Sequence, residues 1–141
     1  RTAERNAVEG MIKKMQIKVG SPADAVATLS GGNQQKVVIA KWLLTGPQIL
    51  LLNDPTRGID VGTKEEIYRL LRELADAGTS IILYSTDYDE LIGCCDRVLI
   101  LYGGRIVRTL EGDDITETNI VAGSFNLPIE SAATAEMVRP Q

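Results

Sequence analysis

The sequence contains no histidine. Histidine is the commonest general base and a frequent metal ligand, so its absence excludes histidine-based catalytic triads and histidine metal sites. The only two cysteines, Cys94 and Cys95, are adjacent, which gives neither a disulfide framework nor the ligand spacing of a zinc site. We expect both to be buried as small hydrophobic residues.

The sequence also lacks an excess of basic residues and any long apolar run. Fifteen Lys and Arg against nineteen Asp and Glu give a net charge of -4, which argues against a broad basic surface for nucleic acid. No apolar stretch approaches the roughly 20 residues of a membrane-spanning helix, and no signal-type apolar core follows the first residues. We therefore expect a soluble or peripheral protein with no nucleic-acid partner.

The length of 141 residues suits one hydrophobic core rather than two independent catalytic domains. The sequence begins with Arg1 rather than Met, so we expect a fragment or a trimmed chain.

Hydrophobic patterning predicts an α/β fold. The continuous apolar run at 49–52 is typical of a strand buried on both faces, and a periodic helix capped by Asp60 and a second strand at 80–84 follow it. Together they form a βαβ crossover, which we expect to be right-handed. A short helix, a third strand at 97–102 and the Gly103-Gly104 turn then predict an antiparallel hairpin.

The first candidate site is the glycine turn Ser30-Gly31-Gly32 at the start of a predicted helix. Two glycines allow close approach of a ligand, and the N–H groups and dipole of a helix start favour an anion such as phosphate. Ser30 adds a hydroxyl donor. The alternative is that these residues merely cap the helix.

Polar residues follow both predicted parallel strands. Asn53-Asp54 leaves the first strand and Ser85-Thr86-Asp87 leaves the second. Because ligands of open α/β sheets bind at the carboxyl ends of the strands, these positions are candidates for chemistry. For Asn53-Asp54, an ordinary turn before Pro55 is the alternative.

A phosphate-binding loop of the Walker A type is absent from the sequence. The segment at 58–64 resembles one, but three residues rather than four separate its glycines, and threonine precedes lysine. We therefore expect that the chain cannot wrap a triphosphate by itself and that it does not hydrolyse ATP alone.

In order, these motifs resemble the C-terminal half of an ATP-binding-cassette (ABC) ATPase. Residues 29–36 (LSGGNQQK) are similar to the family's signature motif, 49–56 (ILLLNDPT) to its Walker B strand, 57–60 (RGID) to its D-loop and 85–87 (STD) to its switch strand. The residues within these motifs are similar to those of the second cassette of tandem simple-sugar importers of the ribose, galactose and xylose type.

The resemblance implies a partial P-loop NTPase fold: a parallel βαβ core, a C-terminal antiparallel hairpin and no Walker A half. It divides the chain into the end of an upstream helical part (1–28), the signature-to-switch region (29–110) and a C-terminal helix and tail (111–141). We expect the tail from residue 130 to be polar and frayed.

In ABC ATPases two cassettes enclose ATP head to tail. The resemblance therefore implies that Ser30, Gly31, Gly32 and Asn33 contact the γ-phosphate of ATP held by a partner cassette. It places Asp60 at the interface between the cassettes, where it couples the two sites. The implied cofactors are ATP and Mg²⁺.

Three positions depart from the family's general pattern. Asn53 stands where an aspartate helps to hold Mg²⁺, and a neutral amide reaches the metal only weakly, through water. Asp54 stands where a glutamate polarises the attacking water, and its shorter arm makes it a weakened general base. Thr86 replaces the switch histidine of many members, so it can donate a hydrogen bond but cannot shuttle a proton.

The resemblance implies an ATPase subunit on the cytoplasmic face of the cell membrane that drives sugar uptake. Its partners would be the first cassette of the same polypeptide or a second ATPase copy, the transmembrane permease subunits and, indirectly, an external sugar-binding protein. Two alternatives stay open: a degenerate regulatory or interaction module without hydrolysis, and the same role in a nucleoside or autoinducer importer.

Overall fold

The computed structural model describes residues 2–129, so the predicted frayed tail from residue 130 lies outside the described residues. The chain falls into two compact units, Arg1–Tyr84 and Ser85–Gln141.

The first unit opens with helix α1, Thr2–Lys14. At Gln16 the backbone enters the left-handed region with φ of 50°, and an extended segment follows. The chain therefore changes from helix to extended backbone near Gln16. A short 3₁₀ turn, Val26–Thr28, then leads to the second helix.

Helix α2, Gly31–Leu43, begins where the glycine turn predicted it. Ser30 is its N-cap and accepts a hydrogen bond from the Asn33 N–H. Ser, Thr, Asp and Asn are favoured there because their side-chain oxygens bond N–H groups that have no partner inside the helix. Beyond the end of α2, Gly46 has φ of 63° and Pro47 cannot continue a helix.

The predicted βαβ unit is present. Strands β1, Ile49–Asn53, and β2, Ser80–Tyr84, pair in parallel, with Ile49 beside Ser80 and Asn53 beside Tyr84. Helix α3, Val61–Asp76, connects them. The hand of the crossover stays a prediction.

Helix α3 carries the predicted cap and the predicted apolar stripe. Asp60 is its N-cap, and Gly78 just beyond its end has φ of 97°. The four stripe residues recur at helical spacing and are all buried: Ile67, Leu70, Leu71 and Leu74. They pack in one core with residues of α2, of β1 and of the segment after α1, namely Ile39, Ala40, Leu50, Met15 and Ile17.

The expectation that the first strand is buried on both faces is wrong. Leu50 is 6% exposed, whereas Ile49 is 61% and Leu51 is 70% exposed. Strand β2 shows the same alternation, since Ile82 and Tyr84 are also exposed. The core packs against one face of the β1–β2 sheet only, which leaves an open apolar face made of Ile49, Leu51, Ile82 and Tyr84.

The second unit contains helix α4, Tyr88–Cys94, and an antiparallel pair of strands, β3, Arg97–Tyr102, and β4, Arg105–Glu111. The turn glycines Gly103 and Gly104 have φ of 56° and 75°, as a two-residue hairpin of this type requires. The predicted hairpin is confirmed. A 3₁₀ turn, Gly112–Asp114, and helix α5, Glu117–Ser124, follow.

A second core fills this unit. Its buried members come from the hairpin, from α5 and from the end of the 3₁₀ turn before it: Val98, Ile100, Leu110, Ile115 and Ile120. Cys94 and Cys95 are half-buried, and Cys95 packs against this core. The expectation that both cysteines are buried is therefore wrong, because α4 is short and ends at Cys94, near the surface.

Candidate functional site

The glycine turn holds Ser30 in a defined orientation. The Ser30 Oγ accepts one hydrogen bond from the Asn33 carboxamide at 2.8 Å and a longer one from the Asn33 N–H at 3.4 Å. Because the oxygen acts as acceptor in both, the hydroxyl proton remains available to a further acceptor. The Gln34 N–H donates to the Ser30 carbonyl, so the Gly31 and Gly32 N–H groups head the helix. This arrangement suits an anion.

The Asn33 side chain makes two hydrogen bonds within the first unit. Besides donating to Ser30, it accepts a hydrogen bond from the Lys18 N–H at 2.9 Å. Asn33 thereby ties the extended segment after α1 to the glycine turn. In the described structure its contacts orient Ser30, while the predicted direct contact with phosphate stays a prediction.

Gly32 lies directly against Thr63 of α3. A Cβ atom added to Gly32 would come within 2.5 Å of the Thr63 Cγ2 and 2.9 Å of its Oγ1. No such crowding surrounds the neighbouring Gly31, where nothing lies within 4 Å. Glycine at position 32 is therefore required by packing, whereas at 31 it is not.

Asp60 is fixed by the same threonine. Its two carboxylate oxygens accept hydrogen bonds from the Thr63 N–H and the Thr63 hydroxyl, both at 2.9 Å. These bonds stabilise the ionised form and hold the pKa of Asp60 below its usual range, although the residue is exposed. The structure thus brings two predicted site residues, Gly32 and Asp60, to one side chain.

A partly buried ion pair also joins α2 to α3, and sequence reasoning missed it. Lys36 is 4% exposed, yet its ammonium group pairs with the Glu66 carboxylate and also donates to the Gln16 carbonyl at 3.4 Å. The lysine holds the pKa of Glu66 below its usual range. The signal in the sequence was a lysine one turn into a helix with a wide apolar face, but its partner lies thirty residues away.

The pair Asn53-Asp54 lies at the carboxyl end of β1, as predicted. Asn53 is exposed and paired with Tyr84, and the Asp54 N–H donates to the Tyr84 carbonyl at 2.8 Å. Asp54 has φ of 43°, in the left-handed region that aspartate tolerates better than most residues. The next residues, Pro55 and Thr56, are fully buried, so the chain turns inward immediately after Asp54.

Ser85-Thr86-Asp87 belongs to the second unit. The Ser85 Oγ accepts a hydrogen bond from the Asp87 N–H at 2.9 Å, and Asp87 caps α4 by accepting from the Asp89 N–H. Thr86 is exposed between them. The predicted gathering of Asn53, Asp54 and Thr86 at one edge stays a prediction.

Magnesium in phosphate-transferring sites is held by one or two carboxylates together with phosphate oxygens and waters. In residues 2–129 no three Asp, Glu, Cys or His side chains are placed to hold a metal ion. Asn53 and Asp54 could therefore supply only a few of the oxygen ligands of Mg²⁺, and phosphate and water would have to supply the rest.

A separate cavity of about 200 Å³ lies in the first unit between α1, the segment after it and α2. Its walls are mostly apolar, with Met11, Ile17, Leu29 and Val37 among them. Such a lining does not suit a phosphate, so this cavity is distinct in character from the glycine turn.

Residues 2–57 match the family described as ABC transporter. Over 133 residues, or 94% of this chain, the sequence is 61% identical to the ribose import ATP-binding protein RbsA 1 of Rhizobium johnstonii. The chain belongs to the ABC transporter family. A protein of the same name from Streptomyces coelicolor is 49% identical over 88% of the chain.

The fold agrees with membership of the ABC transporter family. A dimeric ATP-binding cassette in a post-hydrolysis state, bound to ADP and Pi, is 27% identical and superposes with a TM-score of 0.69, covering 78% of this chain. A nucleotide-free cassette from an ABC transporter, 17% identical, covers 96% with a TM-score of 0.71. The predicted partial ABC ATPase fold is confirmed.

The chain spans about a quarter of the length of these ribose import relatives, 26% for the protein of Rhizobium johnstonii. It spans 47% of the dimeric cassette. No helix within residues 2–129 is both long and apolar enough to cross a membrane.

Proposed function

We propose that this chain forms part of the ATPase of a sugar importer and supplies the signature turn to ATP held by a partner cassette. The observation that carries the proposal is the geometry of Ser30. Its oxygen accepts two hydrogen bonds from Asn33, so its proton is available to an external acceptor near the Gly31 and Gly32 N–H groups. A phosphate oxygen accepts from all of these donors.

Electrostatics supports a single local anion site rather than a basic surface. The net charge is -4, and Lys36 is committed to Glu66 inside the first unit. Backbone dipoles, which carry no formal charge, therefore provide the attraction at the start of α2. Such a site suits phosphate groups that a partner already neutralises in part.

The same reasoning assigns a weak or silent role to the second ATP site, the one to which this chain would contribute Asn53, Asp54 and Thr86. Asn53 offers an uncharged amide oxygen where a metal needs charge compensation, and Asp54 carries its carboxylate on a short arm. Thr86 can orient a phosphate oxygen by a hydrogen bond but cannot transfer a proton at neutral pH. We therefore propose that hydrolysis depends on Ser30 and its neighbours more than on these three residues.

The relatives' names favour ribose, or a sugar like it, as the cargo. We propose that the whole protein lies on the cytoplasmic face of the membrane against permease subunits, with ATP and Mg²⁺ as cofactors. The partner site would be another cassette of the same polypeptide or a second copy. A nucleoside or autoinducer importer is the alternative cargo class, because the motifs on this chain face nucleotide rather than cargo.

A second candidate function is a regulatory cassette that does not hydrolyse, which the neutral Asn53 favours. The distinguishing experiment measures ATPase activity of the full-length protein assembled with its membrane subunits, with and without sugar. We expect turnover that rises when ribose and the external binding protein are present. Nucleotide binding without turnover under both conditions would instead establish the regulatory function.

A further inference from the structure

Two predicted functional positions of the first unit, Gly32 and Asp60, share one neighbour that has no assigned role. Thr63, in the first turn of α3, places its methyl group against the Gly32 backbone and its hydroxyl on the Asp60 carboxylate. Gly32 lies in the glycine turn, and Asp60 precedes α3 in the predicted D-loop. A single side chain therefore lies against both the turn predicted to bind phosphate and the residue predicted to lie at the cassette interface.

We propose that Thr63 is a positioning residue that couples the glycine turn to Asp60. The proposal rests on the proposed function. The side chain is half-buried, and its Cγ2 and Oγ1 occupy the space that a Cβ at Gly32 would need. The turn cannot move toward α3 without displacing Thr63, and Thr63 cannot turn about its Cα–Cβ bond without breaking its hydroxyl bond to Asp60.

The surrounding structure keeps this contact stiff. The Asp60 carboxylate bonds both the hydroxyl and the N–H of Thr63, so the threonine backbone and side chain are fixed together. Further along the same two helices, Lys36 of α2 pairs with Glu66 of α3. The ion pair holds the helices in register while Thr63 transmits the position of the turn, since a β-branched side chain has few alternative rotamers.

The two halves of the contact can be removed separately. Thr63→Val keeps the shape beside Gly32 but deletes the hydroxyl that bonds Asp60. Thr63→Ser keeps the hydroxyl but deletes the methyl group beside Gly32. Thr45→Val is the matched control, because the Thr45 hydroxyl also makes a local bond, to the Trp42 carbonyl after α2 ends.

The test is steady-state ATPase of the full-length protein assembled with its membrane subunits, over a range of ATP concentrations. We expect Thr63→Val and Thr63→Ser each to lower kcat by about tenfold with less than a twofold change in KM for ATP, as misplacement of catalytic groups does. Thr45→Val should stay within twofold of wild type. Wild-type kcat in both Thr63 variants would overturn the proposal.

Two double variants separate positioning from general weakening of the fold. If Thr63 acts through Asp60, Thr63→Val should have less than a twofold effect in an Asp60→Asn background, where asparagine still caps the helix. Thr63→Ser should restore kcat at least about threefold in a Gly32→Ala background, because it removes the atom nearest the added Cβ. Independent, multiplying effects in both backgrounds would overturn the coupling.

Failure of the coupling and failure of the proposed function give different results. If Ser30→Arg abolishes turnover while both Thr63 variants behave as wild type, the coupling is wrong and the proposed function stands. If Ser30→Arg leaves turnover unchanged, the glycine turn does not serve ATP hydrolysis and both proposals are wrong.

Discussion

The Cγ2 of Thr63 occupies the space where a side chain at Gly32 would begin, 2.5 Å from the position of an added Cβ. This contact joins the start of α2 to the start of α3, thirty-one positions later in the chain. It explains why only one of the two glycines of the turn is fixed by packing.

Gly32→Ala is therefore expected to lower the free energy of unfolding by about 1–3 kcal/mol, the usual cost of overpacking. Gly31→Ala is the matched control and should be neutral or slightly stabilising, because its added methyl meets open space and alanine is the better helix former. Urea unfolding followed by the fluorescence of Trp42, the only tryptophan, measures both. Equal losses in the two variants would contradict the packing argument.

The partly buried pair of Lys36 and Glu66 predicts an asymmetry between its two partners. Glu66→Ala leaves the ammonium of Lys36 buried without its carboxylate, so the free energy of unfolding should fall by roughly 2–3 kcal/mol, a discounted value because Glu66 is itself about a third exposed. Lys36→Met leaves a carboxylate that water can reach and should cost less.

The control for this prediction is the exposed pair on α1. Arg5 and Glu9 lie four positions apart with side chains 77% and 42% exposed, so Glu9→Ala should leave the denaturant midpoint nearly unchanged. Denaturant midpoints of the three variants make the comparison. A larger loss in Lys36→Met than in Glu66→Ala would contradict it.

The lowered pKa values of Asp60 and Glu66 predict a loss of stability in acid. Both carboxylates are held ionised in the folded chain, by Thr63 and by Lys36 respectively. A group whose pKa is lower in the folded state stabilises that state fully above its unfolded pKa, and this contribution is lost as pH falls through the folded value.

Unfolding free energy should therefore decline below about pH 4.5, the ordinary value for glutamate, and continue to decline below 3.8, that for aspartate. Denaturant unfolding at closely spaced pH values measures the slope. The double variant Asp60→Asn with Glu66→Gln should show a flatter dependence. An unchanged slope would mean that other carboxylates account for it.

The open face of the β1–β2 sheet predicts self-association of this 141-residue chain. Ile49, Leu51, Ile82 and Tyr84 are all at least 60% exposed and alternate on one face of two paired strands. Contiguous apolar patches of this kind promote association. Leu51→Thr with Ile82→Thr should shift the sedimentation profile toward monomer.

Val61→Thr is the control for the sheet variants. Val61 is 75% exposed, but it lies alone at the start of α3 rather than on the sheet. We expect it to leave the sedimentation profile unchanged. If Val61→Thr reduces association as much as the sheet variants do, the open face is not responsible.

Local patterns predicted the elements well. The spacing of Ile67, Leu70 and Leu74 defines α3, and Ser30 and Asp60 are helix caps because short polar side chains bond the N–H groups of a first turn. The Gly103-Gly104 turn predicted the hairpin because both positions need positive φ. Each of these features depends on residues within one or two turns of each other.

Features that depend on distant residues were missed. The contacts of Gly32 with Thr63 and of Lys36 with Glu66 join residues about thirty positions apart, which no local period encodes. The apolar run of β1 predicted burial on both faces, but in the structure only the face toward α2 and α3 is covered. The residue pattern of a strand indicates which of its faces are apolar, but it does not identify the elements that pack against those faces.

The central claim is that this chain serves hydrolysis through its glycine turn rather than through its own Walker B residues. The most direct measurement compares Ser30→Arg with Asn53→Ala in the full-length protein assembled with its membrane subunits, by sugar-dependent ATPase and uptake. Ser21→Arg, a like substitution at another exposed serine of the first unit, is the control. The account predicts that Ser30→Arg lowers turnover by on the order of 10²-fold while Asn53→Ala and Ser21→Arg retain most of it. Normal turnover in Ser30→Arg together with its loss in Asn53→Ala would contradict the account.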